Sequence, residues 1–315
     1  KLLSRQYGGI HAGSWVDLFP ASLTPWIQLC RLSPPAAFFL IYFPHIFGAV
    51  YAAAIHELPL DQLQRVSLIL FGGSFFCNNA SHAWNDLIDA PIDAKIQRTR
   101  TRPIPRGAIT PRAAFAFTVL QALLAALFLC WLPADTAVAT VPTIIGTTYY
   151  PFAKRHTYFP QLILGFCLTW GVMVGSSAMG ASQPWKDPAT LSLLGASTLW
   201  VVIFDTIYAH QDLADDVEVG VKSMAVLFRG RMKLVLWVLY SAMVVCLTAS
   251  GVWGGFGLAY GLASVGGCGV SVGCMIVMVD LEDPESCWLW FSQGFWLTGS
   301  AIITGLLAEY ALCKL

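Results

Sequence analysis

The sequence predicts an all-α, polytopic membrane protein of about nine transmembrane helices around a central cavity. Three observations carry that expectation. Of 315 residues, 57% are hydrophobic and only 11% charged, where a soluble domain has roughly a quarter charged. Nine stretches are each mostly apolar and long enough, at about 20 residues, to cross a bilayer as a helix. Their apolar runs are continuous rather than alternating, which argues against membrane strands.

Residues 1–33 read as an N-terminal juxtamembrane segment and 34–315 as the transmembrane domain. The expected spans are 34–55, 66–85, 112–132, 135–153, 161–182, 189–209, 233–253, 256–279 and 287–311. The second runs into the acidic stretch Asn85-Asp86-Leu87-Ile88-Asp89-Ala90-Pro91-Ile92-Asp93, and the fourth into Lys154-Arg155. The sixth runs into Asp212-Leu213-Ala214-Asp215-Asp216. Spans 2 and 6 thus share a plan, an apolar run followed by an acidic motif and then basic residues, as an ancient duplication would leave. No charge occurs from Leu234 to Val279, so the seventh and eighth spans are divided at the turn Trp253-Gly254-Gly255. The 12 Trp suit helix ends anchored at the lipid interface.

Charge follows the layout. On the side shared by the N-terminus and the loops after spans 2, 4 and 6 lie 15 of the 18 Lys and Arg; only Arg65, Lys186 and Lys314 fall opposite. The opposite side is expected to carry Asp135, Asp187, Asp280, Glu282, Asp283 and Glu285. This bias predicts a cytosolic basic face bearing both acidic motifs. Residues 1–33 hold only Lys1, Arg5 and Arg31 as basic residues, with Asp17, Pro20 and Pro25 among them. That is unlike a transit peptide and favours the endoplasmic reticulum over the mitochondrial inner membrane. A formal net charge of zero argues against a nucleic-acid partner. The nine Cys form no CxxC pair and read as small buried hydrophobes.

The chemistry lies in the two acidic motifs. Carboxylates at a membrane boundary are costly unless they hold a cation or do chemistry. On a helix, Asp86, Asp89 and Asp93 share a face, as do Asn85, Asp89 and Asp93. Asp205, Asp212 and Asp216 follow one another at i, i+7 and i+11, with Tyr208 beside them. Such oxygen columns suit Mg²⁺, which binds through a few carboxylates plus substrate phosphates; no His/Cys set has zinc spacing. Arg98 and Arg102 follow the first motif and Lys222 the second, types that neutralise phosphate oxygens. Helix capping and solvated loop charge explain one such cluster, but sit poorly with two on the same face. His82, one turn before Asp86, reads as a packing residue.

Asn85-Asp86-x-x-Asp89-x-x-x-Asp93 leading to Arg98-x-x-x-Arg102-Pro103-Ile104 resembles the first signature of the UbiA family of intramembrane prenyltransferases. Tyr208-Ala209-x-x-Asp212-x-x-Asp215-Asp216-x-x-x-Gly220-x-Lys222-Ser223 resembles its second, and Tyr150-Pro151-x-x-Lys154-Arg155-x-Thr157-x-x-Pro160-Gln161 the linker between spans 4 and 5. The resemblance is closest to the 4-hydroxybenzoate polyprenyltransferase branch and related fungal meroterpenoid enzymes. It implies a cavity opening sideways to lipid, with a farnesyl-like isoprenyl diphosphate as donor and an aromatic or polyketide-like acceptor. It places Asn85, Asp89 and Asp93 on one Mg²⁺ and Asp212 and Asp216 on another, with Asp86 and Asp215 in support. Arg98, Arg102, Lys154 and Lys222 would contact the diphosphate, and Tyr150 and Tyr208 would line the same pocket. Asp205, about 10 Å deeper than Asp212 by helical rise, is expected to orient or deprotonate the acceptor, with Arg31 open to its carboxylate. A terpene cyclase on the same scaffold and an ion-coupled transporter remain as alternatives.

Overall fold

A computed structural model describes residues 15–314, so Lys1 and Arg5 lie outside the described residues. Among the described residues there are no strands. Nine long helical rods run in the order α1 (Ala36–Ile55), α2 (Leu60–Asp93), α3 (Pro111–Leu129), α4 (Ala134–His156), α5 (Pro160–Ala178), α6 (Pro188–Ala209), α7 (Met232–Trp253), α8 (Leu258–Met278) and α9 (Pro284–Leu312). Seven are long and apolar enough to cross a membrane. The other two, α2 and α4, carry the site's polar residues, which dilute their hydropathy.

α1 is the axis of the bundle, mostly buried and packed against α2, α5 and α9. Lipid gives helices no hydrophobic reason to associate, so close packing through small residues takes over. At the α1–α5 crossing a Cβ on Gly48 would stand 1.9 Å from the Val172 carbonyl oxygen, and one on Gly175 1.9 Å from that of His45. Ser176 Oγ then donates to the Gly48 carbonyl at 3.0 Å. α5 is interrupted at Trp170, whose indole donates to the Ala139 carbonyl of α4 at 2.8 Å. α8 and α9 each contain a π-helical stretch, Gly261–Gly266 and Trp290–Gly294. In the first, Ser264 Oγ bonds the Ile302 carbonyl at 2.9 Å, in a notch that a side chain at Gly305 would fill.

Two expectations are corrected here. The acidic segment Asp280, Glu282, Asp283 and Glu285 lies at the same end as the acidic motifs, not opposite. Lys233, at the start of α7, donates to the Ile276 and Val279 carbonyls at the end of α8. The α8–α9 connection follows an even number of crossings and so returns to the first face. At the other end Lys314 Nζ meets the Glu57 carbonyl, as the predicted layout requires. Second, Asp205, Asp212 and Asp216 do not lie on one continuous helix. α6 ends at Ala209, a 3₁₀ turn spans His210–Asp212, and a short helix follows over Leu213–Val219. α2, in contrast, runs on through Pro91 to Asp93, so the whole first motif is helical.

Candidate active site

A cavity of about 160 Å³ lies where the ends of α2, α4 and α6 meet beneath the 94–110 and 210–223 connections. Its polar wall holds Asn85, Asp89 and Asp93 from α2, with Asp212 and Asp216 from the second motif opposite. Asp205, Tyr208, Tyr150, Lys154, Lys222, Arg31, Arg98 and Arg102 also line it. The predicted residues are therefore brought together, with two exceptions.

Those exceptions are Asp86 and Asp215, which the resemblance sets in support of the metal ligands. Neither reaches the cavity wall. Asp86 sits behind it, its Oδ1 accepting from Arg31 Nη2 at 2.7 Å and Arg102 Nη1 at 3.3 Å. Asp215 Oδ2 accepts from the Gln97 backbone N–H at 2.7 Å, tying the two motif loops together. On a helix, Asp86 lies about 100° around from Asn85, and that rotation turns it toward the N-terminal segment.

The cations fold inward onto the carboxylates. Thr99 Oγ1 donates to the Asp93 carbonyl at 3.1 Å, turning the 94–110 connection back over the cavity. From there Arg98 grips Asp212 with two bonds, Nε to Oδ1 at 2.8 Å and Nη2 to Oδ2 at 2.5 Å, while Nη1 donates to the Tyr208 hydroxyl at 2.9 Å. Arg102 Nη1 donates to Asp93 Oδ2 at 2.8 Å, and Lys154 Nζ to Asp89 Oδ2 at 2.7 Å. Lys154 also stands 5.5 Å from the centre of the Tyr150 ring. Burial opposes charge on both arginines, but the adjoining Asp212, and for Arg102 Asp93 with Asp86, outweigh it and push both guanidinium pKa values above the ordinary range. Both are held firmly as cations.

Arg31 enters from the N-terminal segment in the left-handed region, φ 52°. The short helix Thr24–Leu29 positions it: Leu29 is buried with Ala83 and Ile104, Trp26 packs on Phe117, and Gln28 Oε1 accepts from Arg106. Lys222 is set by its backbone, whose N–H donates to the Lys154 carbonyl at 3.0 Å. Asp205 has no ion pair among the described residues, so it does not serve as a partner for a neighbouring helix.

Oxygen atoms remain for a cation. Asn85 Oδ1 and Asp89 Oδ1 are buried and without a hydrogen-bond partner, and both residues face the cavity. All the donors are hard oxygens, which fits Mg²⁺. Yet no three His, Cys, Asp or Glu side chains among the described residues converge on one point, because each paired carboxylate is drawn toward its Arg or Lys.

Sequence reasoning reached Gln161 only as the end of the third motif, and passed over Ser81, Thr147 and Phe291. Gln161 Oε1 accepts from the Met224 N–H at 3.1 Å and holds the end of the second motif. Phe291 packs on Tyr208 with ring centres 4.4 Å apart. Phe291 carries no charge or helix-face pattern that would distinguish it within an apolar span. Ser81 and Thr147 line both this cavity and a second one of about 500 Å³ among α2, α3 and α4. α3 and α4 are joined over 130–133 but hardly touch, and the groove between them is walled by exposed residues such as Phe115, Leu123 and Ile144.

The profile of the UbiA prenyltransferase family matches residues 23–299. The chain is 34% identical over 297 residues to the UbiA prenyltransferase claS of Ampulloclitocybe clavipes, covering 92% of each chain. It is 33% identical over 302 residues to the mitochondrial 4-hydroxybenzoate polyprenyltransferase of Schizosaccharomyces pombe, covering 94% of this chain and 84% of that one. A UbiA homolog from Archaeoglobus fulgidus, solved bound to GPP and Mg²⁺, shares the fold with a TM-score of 0.66 at 16% identity, over 91% of this chain and 99% of the other. With its motifs gathered on one cavity and that match spanning most of its length, the chain belongs to the UbiA prenyltransferase family, whose members are membrane-bound enzymes.

Proposed function

We propose that the protein transfers an isoprenyl group of about farnesyl length from its diphosphate to a carbon of an aromatic or polyketide-derived acceptor, with Mg²⁺ as cofactor. One observation carries this reading: two acidic motifs far apart in the chain face a single cavity, bridged by Arg98 and Asp212. Asn85, Asp89 and Asp93 would hold one metal ion, and Asp212 and Asp216 another. The metal, when bound, neutralises charge on the departing diphosphate. Arg98, Arg102, Lys154 and Lys222 add fixed positive charge to the same oxygens, strongest as the carbon–oxygen bond breaks and its electron pair leaves with the diphosphate. Tyr150 and Tyr208 line the same cavity, where an aromatic wall would stabilise a passing allylic cation. The acceptor carbon then supplies the pair for the new carbon–carbon bond, and Asp205 takes the proton that the acceptor loses. Arg31, which lines the cavity, would meet an acceptor carboxylate.

Size distributes the substrates. A space of about 160 Å³ is of the order that holds one benzene-sized ring; the groove of about 500 Å³ is large enough for an isoprenoid tail. The tail would pass Ser81 and Thr147 into the groove, and the acceptor ring would sit near Asp205. A lipid-walled site also keeps water from quenching the cation. The excess of Lys and Arg at the motif end supports a cytosolic face, in the endoplasmic reticulum membrane.

The test is product analysis by mass spectrometry, with purified protein, Mg²⁺ and a panel of isoprenyl diphosphates with aromatic acids and phenolic polyketides. The expected product is the acceptor plus one isoprenyl unit. Release of a cyclic hydrocarbon without acceptor would assign a cyclase instead.

A further inference from the structure

The geometry points to an ion exchange built into the site: Arg98, Arg102 and Lys154 act as resident counter-ions of the metal-binding carboxylates, so metal and diphosphate load as one coupled unit. This rests on the function proposed above and concerns how the empty site is held. Three carboxylates of the cavity wall are already ion-paired, Asp89 with Lys154, Asp93 with Arg102 and Asp212 with Arg98. Their partners are the side chains best placed to meet phosphate oxygens. A group that serves both ligands cannot serve both states at once: each cation must leave its carboxylate to reach phosphate, and each carboxylate must lose its cation to reach metal.

Charge balance gives the same answer. Asp86, Asp89, Asp93, Asp212 and Asp216 face Arg31, Arg98, Arg102 and Lys154. Asp205 on the same wall adds one negative charge, and Lys222 offsets Asp215, so the empty cluster is two charges from neutral. A diphosphate ester with about three negative charges, entering together with two divalent cations, leaves the cluster close to neutral. Either ligand alone leaves several charges uncompensated in a low-dielectric site, where they are costly. The lack of a ready-made three-ligand metal nest among the described residues agrees with this. Arg98 on this view holds Asp212 in the empty site and meets phosphate in the loaded one. Its two bonds to Asp212 close one motif on the other and keep that carboxylate in reserve until phosphate arrives.

The experiment is equilibrium dialysis of the detergent-solubilised chain, with Mn²⁺ counted by electron paramagnetic resonance and pyrophosphate by radiolabel. The ligands are given singly (pyrophosphate then in EDTA) and together, with protein-free chambers correcting for their association in solution. In the wild type each ligand should raise affinity for the other by at least about tenfold, and by the same factor in both directions. Arg98→Gln should tighten Mn²⁺ binding in the absence of pyrophosphate and reduce the coupling. The reciprocal variant Asp212→Asn should tighten pyrophosphate binding in EDTA. Tight but independent binding of the two ligands, or unchanged single-ligand affinities in both variants, overturns the exchange and leaves the proposed function standing. Failure of either ligand to bind in any combination overturns both.

Discussion

Asp89 uses its two oxygens differently: Oδ2 accepts from Lys154 at 2.7 Å, and Oδ1 is buried without a partner at the cavity. Replacing it with Ala would leave Lys154 unpaired in a buried site, a cost of about 3–5 kcal/mol that would confuse folding with catalysis. Asp89→Asn is the cleaner variant. It should lower turnover by roughly 10²–10³-fold, the loss typical of a missing electrostatic stabiliser, with Tm moving by only a few degrees; diphosphate release and thermal unfolding in detergent check both. A variant that turns over normally removes Asp89 from the metal role. Asp205→Asn should behave otherwise. Prenylated product should fall by roughly 10²–10⁴-fold, as for a lost general base, while diphosphate release without acceptor continues. Equal loss of both would place Asp205 with the ionisation step instead. Asp89, Asp205, Asp212 and Asp216 were legible in the sequence because charge in an apolar chain is conspicuous. Which groups hold Asp86 was not, because its partners Arg31 and Arg102 are 55 and 16 residues away.

Helices are held here by backbone proximity and by caps more than by apolar area, as expected in lipid. Asp187 shows the second device. It caps α6 through the Thr190 N–H at 2.9 Å and accepts from the Tyr51 hydroxyl of α1 at 2.9 Å. Burial alone would raise its pKa, but these bonds from Thr190 and Tyr51 outweigh it and hold the carboxylate below its ordinary value. A depressed folded-state pKa contributes stability that is present above the ordinary carboxylate range and lost as pH falls through the folded value. Asp187→Ala should therefore lower stability by about 1 kcal/mol at neutral pH and flatten the acid limb of a Tm-against-pH curve, without changing kcat. An unaltered acid limb would assign that limb to other groups. The apolar spans could be read from composition, yet the break at Ala209 and the persistence of α2 through Pro91 could not. The surrounding contacts come from elsewhere in the chain: the Gln97 N–H of the 94–110 connection holds Asp215 beyond the break, and Lys154 of α4 holds Asp89 beside Pro91.

At the scale of the molecule, the α8–α9 connection decides a question that charge counting answered incorrectly. Four acidic residues at 280–285 were assigned away from the basic face; the number of crossings returns them to it. Cysteines placed at Glu282 and at Lys95 should both react with an impermeant maleimide from the same side of sealed vesicles. Labelling from opposite sides would contradict the fold. The proposed metal dependence is likewise global in effect. EDTA should abolish transfer and Mg²⁺ restore it, with binding of the acceptor alone unaffected; activity that persists in chelator would rule out a metal-held diphosphate.

By itself the sequence determined that this chain is a helical membrane protein, where its helices cross, which face is basic and which carboxylates are candidates for chemistry. Those properties are local: apolar length and charge in an apolar chain need no knowledge of neighbours. Only the tertiary structure decided which candidates face one cavity, that Arg98 reaches Asp212 from 114 positions away, and that a lipid-open groove adjoins the site. These depend on which helix faces meet, and in a bilayer that choice is made by small residues and buried polar pairs distributed across the chain, whose meaning appears only when the helices are brought together.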